Sequence, residues 1–288
     1  MSSRLRYRDP CRALIEAAAR KQRRANLRPI TVLTIKNAWL LACTLATACL
    51  PLAAFEGPPQ VRLENARVFP FFATGGGWQS TVTLLNLFEE NIDYRLSFRG
   101  TNGQPVPVTF RGRDGRITSA DNIQGRLEDD ASHTYVLMDV GTLQSGWATL
   151  EYSGESRIAG LLTFRQRVQG RPDFESTVLL ARDDENRVYI PFDNTEGFAT
   201  TVAITNPSTN DTTELRVRFW DASGSELLTR DYRLSAGTTV AFSLPQQIPE
   251  LNGRAGQFRI EGTGSRLATL ALRFNPSGAF STVPVVSR

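Results

Sequence analysis

From residue 68 onward, apolar positions recur with a period of two. Leu215, Val217 and Phe219 alternate with Arg216, Arg218 and Trp220, and Phe258 and Ile260 alternate with Gln257, Arg259 and Glu261. Successive side chains of an extended strand point to opposite faces, so the pattern predicts strands buried on one face and wet on the other. Turn-forming residues punctuate the runs at Gly75-Gly76-Gly77, Asn102-Gly103, Asn206-Pro207, Ser223-Gly224, Ala236-Gly237 and Asn275-Pro276. No amphipathic helical stretch of a dozen residues interrupts them. About seven short strands per hundred residues, with a turn every 8–12 or so, predict an immunoglobulin-like β-sandwich. The cysteine–tryptophan–cysteine framework of true immunoglobulins is absent, so the prediction concerns architecture and not lineage. A domain of this size buries well over half of its unfolded surface, enough for a core without disulfides.

The pattern occurs twice. Residues 68–86 match residues 188–206 at an offset of 120, through Val68/Val188, Phe72/Phe192, Gly77/Gly197, Thr81/Thr201, Val82/Val202 and Asn86/Asn206. One residue of slip then pairs 94–98 with 215–219, and further matches join 146–151 to 256–261 and 176–178 to 281–283. Collinear matches of this extent predict an internal duplication: copy 1 over residues 55–182, a charged junction at 183–187, and copy 2 over 188–288. The copies differ between Gly103 and Ala131, where the first is about fifteen residues longer than Gly224 to Gly237 in the second. That polar excess predicts a long loop at about 103–131, functional or merely tolerated.

The first 54 residues read differently. Residues 38–50 are an uncharged, mostly apolar run preceded by Lys36 and followed by Pro51-Leu52-Ala53-Ala54. A charged n-region, a short apolar core and a small-residue exit predict a secretory signal peptide cleaved after Ala54. A membrane-spanning helix needs roughly twenty apolar residues, and Pro51 and Glu56 cut the run short. Cys49, and less well Cys43, sit in lipobox-like surroundings, which makes Cys49 a candidate lipidation site. Processing by either route falls near residues 43–54. Arg23-Arg24 lacks the apolar pair that a twin-arginine signal wants. The long n-region also fits a start codon placed too far upstream, with the true start near Val32 or Leu33.

This boundary changes the charge balance. The formal charge is +4, from 33 Lys+Arg against 29 Asp+Glu. Residues 1–54 hold ten of those bases, two of those acids and all three cysteines, leaving 23 arginines against 27 acids, or −4, in the remainder. That remainder argues against a nucleic-acid groove and has no thiol for a zinc site.

Candidate chemistry is sparse. A Ser/His/Asp triad would have to use His133, the single histidine, which enters a strand at Ser132-His133-Thr134-Tyr135 and is expected at an exposed strand edge. The acid clusters Glu128-Asp129-Asp130 and Asp183-Asp184-Glu185 could serve glycoside hydrolysis or bind calcium, yet adjacent loop acids are usually a solvated surface. Gly75-Gly76-Gly77 lacks the Lys-Ser/Thr of a phosphate loop and reads as a turn. Strand phase places Trp78 and its counterpart Phe198 in the core. It places Trp147 and Trp220 facing outward, where flat apolar rings suit stacking on a sugar or a protein partner. These two tryptophans are the candidate ligand-binding residues; no catalytic residue, metal ligand or cofactor is expected.

At residues 191–208, beginning Pro191-Phe192-Asp193-Asn194, and at 272–284, including Asn275-Pro276-Ser277-Gly278, the chain resembles a family of exported bacterial proteins. Members carry tandem all-β domains after a signal peptide, and the resemblance covers residues 68–288. The family has no assigned activity, so the resemblance implies an architecture and an extracellular, periplasmic or cell-surface location, not a catalytic residue. Copy 1 departs from the motif, with Phe71-Phe72-Ala73-Thr74 opposite Pro191-Phe192-Asp193-Asn194, so polar residues there could bind something only in copy 2. The reading that emerges is an exported, non-enzymatic binding or structural protein. Its partner would be an extracellular protein or a polysaccharide, with membrane contact only through the signal peptide or an N-terminal lipid. The alternative is a polysaccharide-active enzyme or carbohydrate-binding accessory protein using loop carboxylates and exposed tryptophan.

Overall fold

The period-two runs become antiparallel strands. The structure, a computed structural model, describes residue 63 and residues 65–287 apart from 155–157, 182–185 and 264–265. The expected signal segment, Cys49, and the Asp183-Asp184-Glu185 cluster with most of the junction therefore lie outside the described residues. One sheet runs in the order β1 (Asn65–Thr74), β8 (Gln144–Tyr152), β3 (Ile92–Gly100), β6 (Asn122–Leu127). A second runs β10 (Phe174–Leu179), β9 (Ile158–Gln166), β2 (Trp78–Asn86), β7 (Ser132–Leu137), β4 (Val108–Arg111), β5 (Ile117–Ala120). The C-terminal half repeats this arrangement with β14 (Glu226–Leu234), β13 (Thr213–Asp221), β16 (Ala255–Thr263), β11 (Arg187–Asp193) and β19 (Val286–Ser287) in one sheet. Its other sheet holds β15 (Thr239–Ser243), β12 (Ala199–Thr205), β17 (Ala268–Phe274) and β18 (Phe280–Val283). A four-residue helix, α1 (Leu244–Gln247), follows β15. The chain is thus all-β, with sheets packed in sandwich-like pairs.

Each pair closes over side chains that the alternation turns inward. Phe72 meets Phe98 edge-on at 5.6 Å, and Phe192 meets Phe219 edge-on at 6.0 Å. Polar residues at matching positions also do matching jobs. Ser80 Oγ accepts from Ala73 N at 3.1 Å, and Thr200 Oγ1 accepts from Asp193 N at 2.9 Å. The buried Asn86 amide donates to the carbonyls of Glu90 and Glu128, and that of Asn206 to those of Asp211, Leu234 and Ser235. Unpaired buried carbonyls are costly, so each asparagine seals a strand-end loop. Gly146 and Gly256 mark a close approach: an added Cβ would lie 1.9 Å from Arg99 O and 2.0 Å from Trp220 O, respectively.

The two halves are packed against each other. β12 and β17 show runs of consecutive buried residues because one face meets their own partner sheet and the other meets the N-terminal pair. Trp78 touches Phe280 across this boundary, with ring centroids 5.3 Å apart. Thr205 Oγ1 donates to Pro70 O at 2.6 Å, Thr239 N to Thr101 O at 3.1 Å, and Ser176 Oγ bonds Thr282 Oγ1 at 2.6 Å.

Three expectations about the fold need correction, and a fourth, at His133, belongs to the site below. The excess at 103–131 is not a loop; it forms β4 and β5 and runs into β6. Phe198 is half-buried rather than core, with the Arg273 guanidinium 3.8 Å from its ring centroid. Trp147 is not exposed: it is 1% accessible, and its indole N–H donates to Gly237 O at 2.9 Å. It points away from its own sandwich, as its phase requires, and so into the neighbouring one, against Ala268.

Candidate functional site

The inserted strands build a concavity on the N-terminal pair. Asp114-Gly115 closes the β4–β5 hairpin, with Gly112 N bonding Arg116 O at 3.0 Å and Gly115 at φ +75°. After Ala120 only Asp121 separates β5, in one sheet, from β6, in the other. The two strands diverge from that crossing and leave an open trough of about 480 Å³. Its buried lining is Phe110, Ile123 and Tyr135, and its more exposed lining is Arg113, Asp114, Thr118, Asn122 and Gln124. That volume lies within the roughly 300–1,000 Å³ of small-molecule sites.

Behind the lining sits a buried polar cluster. His133 is 8% accessible, which corrects the expectation of an exposed strand-edge residue. Its inward direction follows from β7, where His133, Tyr135 and Leu137 share the buried face. Arg113 Nη1 lies 3.0 Å from His133 Nε2, and Tyr94 Oη lies 2.8 Å from Nδ1. Tyr94 and Tyr135 share a very short hydroxyl–hydroxyl bond. Arginine only donates, so Nε2 accepts, and the proton of the neutral ring sits on Nδ1. Burial, then the Arg113 charge, push the His133 pKa below its ordinary value, with Glu128 opposing. Burial also raises both phenols, most strongly Tyr94, so each keeps its hydrogen.

This arrangement suits binding better than proton transfer. Both His133 nitrogens are engaged inside the wall, and neither bonds a serine hydroxyl. Glu128 Oε2 stands 3.7 Å from His133 Nε2 and 3.6 Å from Arg113 Nη1. Its own backbone N–H, then Arg113 and His133, hold the carboxyl below the usual range, opposite to the raised value a glycosidase acid needs. Among the described residues no group of three or more His, Cys, Asp or Glu side chains comes together to hold a metal ion.

The remaining sequence candidates lie elsewhere. Trp220 is half-buried on the outer face of its sheet, with Arg259 over its ring at 5.4 Å and the same guanidinium 5.9 Å from the Tyr189 ring. Trp147, on the N-terminal pair, is covered by the turn that carries Gly237, so the two tryptophans do not form one surface. Asp193 and Asn194 serve the local turn: Thr195 and Arg273 donate to the Asp193 carboxylate, and Asn194 bonds Leu251 O and Thr200 N. Gly75-Gly76-Gly77 forms the β1–β2 turn. The Tyr94–His133–Tyr135 cluster escaped sequence reasoning, although the alternation in β7 already puts His133 in step with Tyr135 and Leu137. No protein-family model and no curated protein matches this sequence.

Proposed function

We propose that the chain is an exported, non-enzymatic binding protein of the cell exterior, made of two tandem immunoglobulin-like sandwiches that arose by internal duplication behind a signal peptide. Shared strand order and the matched duties of Ser80/Thr200, Asn86/Asn206 and Gly146/Gly256 support the duplication. The export reading rests on the leader pattern and on the family resemblance at residues 191–208 and 272–284. The observation that carries the binding reading is the trough, built by a hairpin that has no equivalent among the strands of the C-terminal pair.

The test is retention on arrays of extracellular glycans and envelope proteins. The exported protein is compared with Asn122→Trp, whose indole would fill the trough from β6. The variant is expected to lose about tenfold or more in affinity, at least 1.4 kcal/mol, for whatever the parent retains. Equal retention, or none by the parent, contradicts the proposal.

A second reading, a carbohydrate-binding accessory role, is favoured by the row of Tyr189, Arg259 and Trp220 on the outer C-terminal sheet. Pull-down on insoluble polysaccharides with Trp220→Ala tests it. Equal retention of parent and variant removes Trp220 from the account.

A further inference from the structure

The cluster behind the trough holds one hydroxyl hydrogen more than it has acceptors for. Arg113 fixes the direction of the chain of hydrogen bonds: it donates to His133 Nε2, so His133 Nδ1–H donates to Tyr94 Oη. One phenol hydrogen then closes the Tyr94–Tyr135 bond, and the other has no acceptor among the hydrogen bonds of the described residues. Tyr94 is sealed in: it is 2% accessible, and a Cβ at residue 125 of β6 would come within 2.6 Å of its hydroxyl. The surplus hydrogen therefore belongs to Tyr135, the member of the pair that lines the trough. A hydroxyl hydrogen that faces the open trough is free to donate to a ligand oxygen.

The surroundings say what kind of oxygen. Residues 108–128 carry Arg111, Arg113, Arg116 and Arg126 against Asp114, Asp121 and Glu128, a local +1 within a region whose total is −4. Arg113 is the cation among the lining residues, and a local excess of positive charge favours an anion. Arg113 uses one of its five donors on His133 and has Glu128 Oε2 at 3.6 Å, beyond hydrogen-bond reach, so its other N–H groups remain for a carboxylate at the trough mouth. Phe110 and Tyr135 meet edge-to-face at 5.8 Å in the lining, beside the Asn122 and Gln124 amides. Aromatic rings beside planar amides match the apolar faces and hydroxyl edges of a sugar ring.

We propose that the trough binds an acidic saccharide, whose carboxylate accepts from the Tyr135 hydroxyl and the Arg113 guanidinium while its ring lies against the Phe110–Tyr135 lining. This rests on the trough being the ligand site. The exported protein is titrated by calorimetry with tetramers of galacturonate and of mannuronate, with the same tetramers after their carboxylates are reduced to primary alcohols, and with tetraglutamate. At least one acidic tetramer binds, and reduction weakens it by about tenfold or more. Tyr135→Phe and Arg113→Gln each bring the acidic ligand down to the affinity of its reduced form. Reduction replaces the charged acceptor by a neutral hydroxyl without touching the protein, so a misfolded variant cannot mimic this result.

Equal affinity for acidic and reduced tetramers overturns the proposal, as do unchanged binding by Tyr135→Phe, binding of tetraglutamate alone, and binding of nothing. If acidic and reduced forms bind equally and Asn122→Trp abolishes both, the ligand class is wrong and the trough stands. If binding survives Asn122→Trp, the trough reading itself falls.

Discussion

The N-terminal and C-terminal sheet pairs share a frame and differ in what fills one corner of it. In the first, Val82 pairs with Tyr135 and Leu84 with His133; in the second, Val202 pairs with Phe242 and Ile204 with Val240. Tyr94, opposite Tyr152, has its counterpart in Leu215, opposite Gly262. The positions that carry a hydroxyl–imidazole–hydroxyl cluster in one half thus carry leucine, valine and phenylalanine in the other. The apolar version is the ordinary solution, because burying polar groups costs stability unless each is paired. Departure from it occurs only where the β4–β5 hairpin opens a trough beside the cluster. The difference teaches that strand frame and buried polar chemistry are separable here: the same frame stands with the cluster and without it.

That comparison can be broken first at the contact joining the halves. Trp147→Ala should cost about 3–5 kcal/mol in chemical denaturation, as for other buried aromatic truncations; a loss below about 1 kcal/mol would mean the halves do not pack this way in solution. Next come the close approaches. Gly146→Ala and Gly256→Ala each place a methyl against a carbonyl and should each lose about 1–3 kcal/mol, with similar urea midpoints. A large effect at one and none at the other would deny the equivalence. Asn86→Ala and Asn206→Ala should each cost about 1–3 kcal/mol, because buried carbonyls lose their donors, and again the pair should behave alike.

A smaller effect separates the halves by pH. The folded pKa of His133 lies below its ordinary value near 6.5, so between the two values the unfolded chain binds more protons than the folded one. Stability is therefore present above about pH 6.5 and lost as the pH falls through that value toward the lower folded pKa. His133 is the single histidine, and His133→Gln should flatten denaturation midpoints measured between pH 7.5 and 5. An unchanged slope would place the titrating group elsewhere. The smallest effect is expected at Trp220→Ala, within about 0.5 kcal/mol, as for most surface positions; a cost above about 2 kcal/mol would mean that this ring is a core residue after all.

Much of the frame was legible because it is local. Alternation in β13 and β16 set which residues face inward, and the offset of 120 picked out Asn86 and Asn206 before their shared hydrogen bonding was visible. The errors arose where a side chain answers to something distant in sequence. Phase within an isolated sandwich turns Trp147 outward, but the face it presents is covered by Gly237, 90 residues further along. Nothing in Ser132-His133-Thr134-Tyr135 itself shows what holds His133 inside, because its partners Tyr94 and Arg113 lie 39 and 20 residues away. The polar, glycine-containing composition of the insertion reads as a loop, although Asp114-Gly115 between Val108-Thr109-Phe110 and Ile117-Thr118 is a hairpin signal. The trough escaped because it exists only where β5 and β6 part toward different sheets.

Amide hydrogen exchange, measured by mass spectrometry with and without the acidic tetramer, tests the division between the halves most directly. New protection should fall on residues 108–127 and 133–137 and leave the counterparts at 226–234 and 239–243 unchanged. Protection centred on Trp220 and its sheet, or spread equally over both halves, would contradict the account.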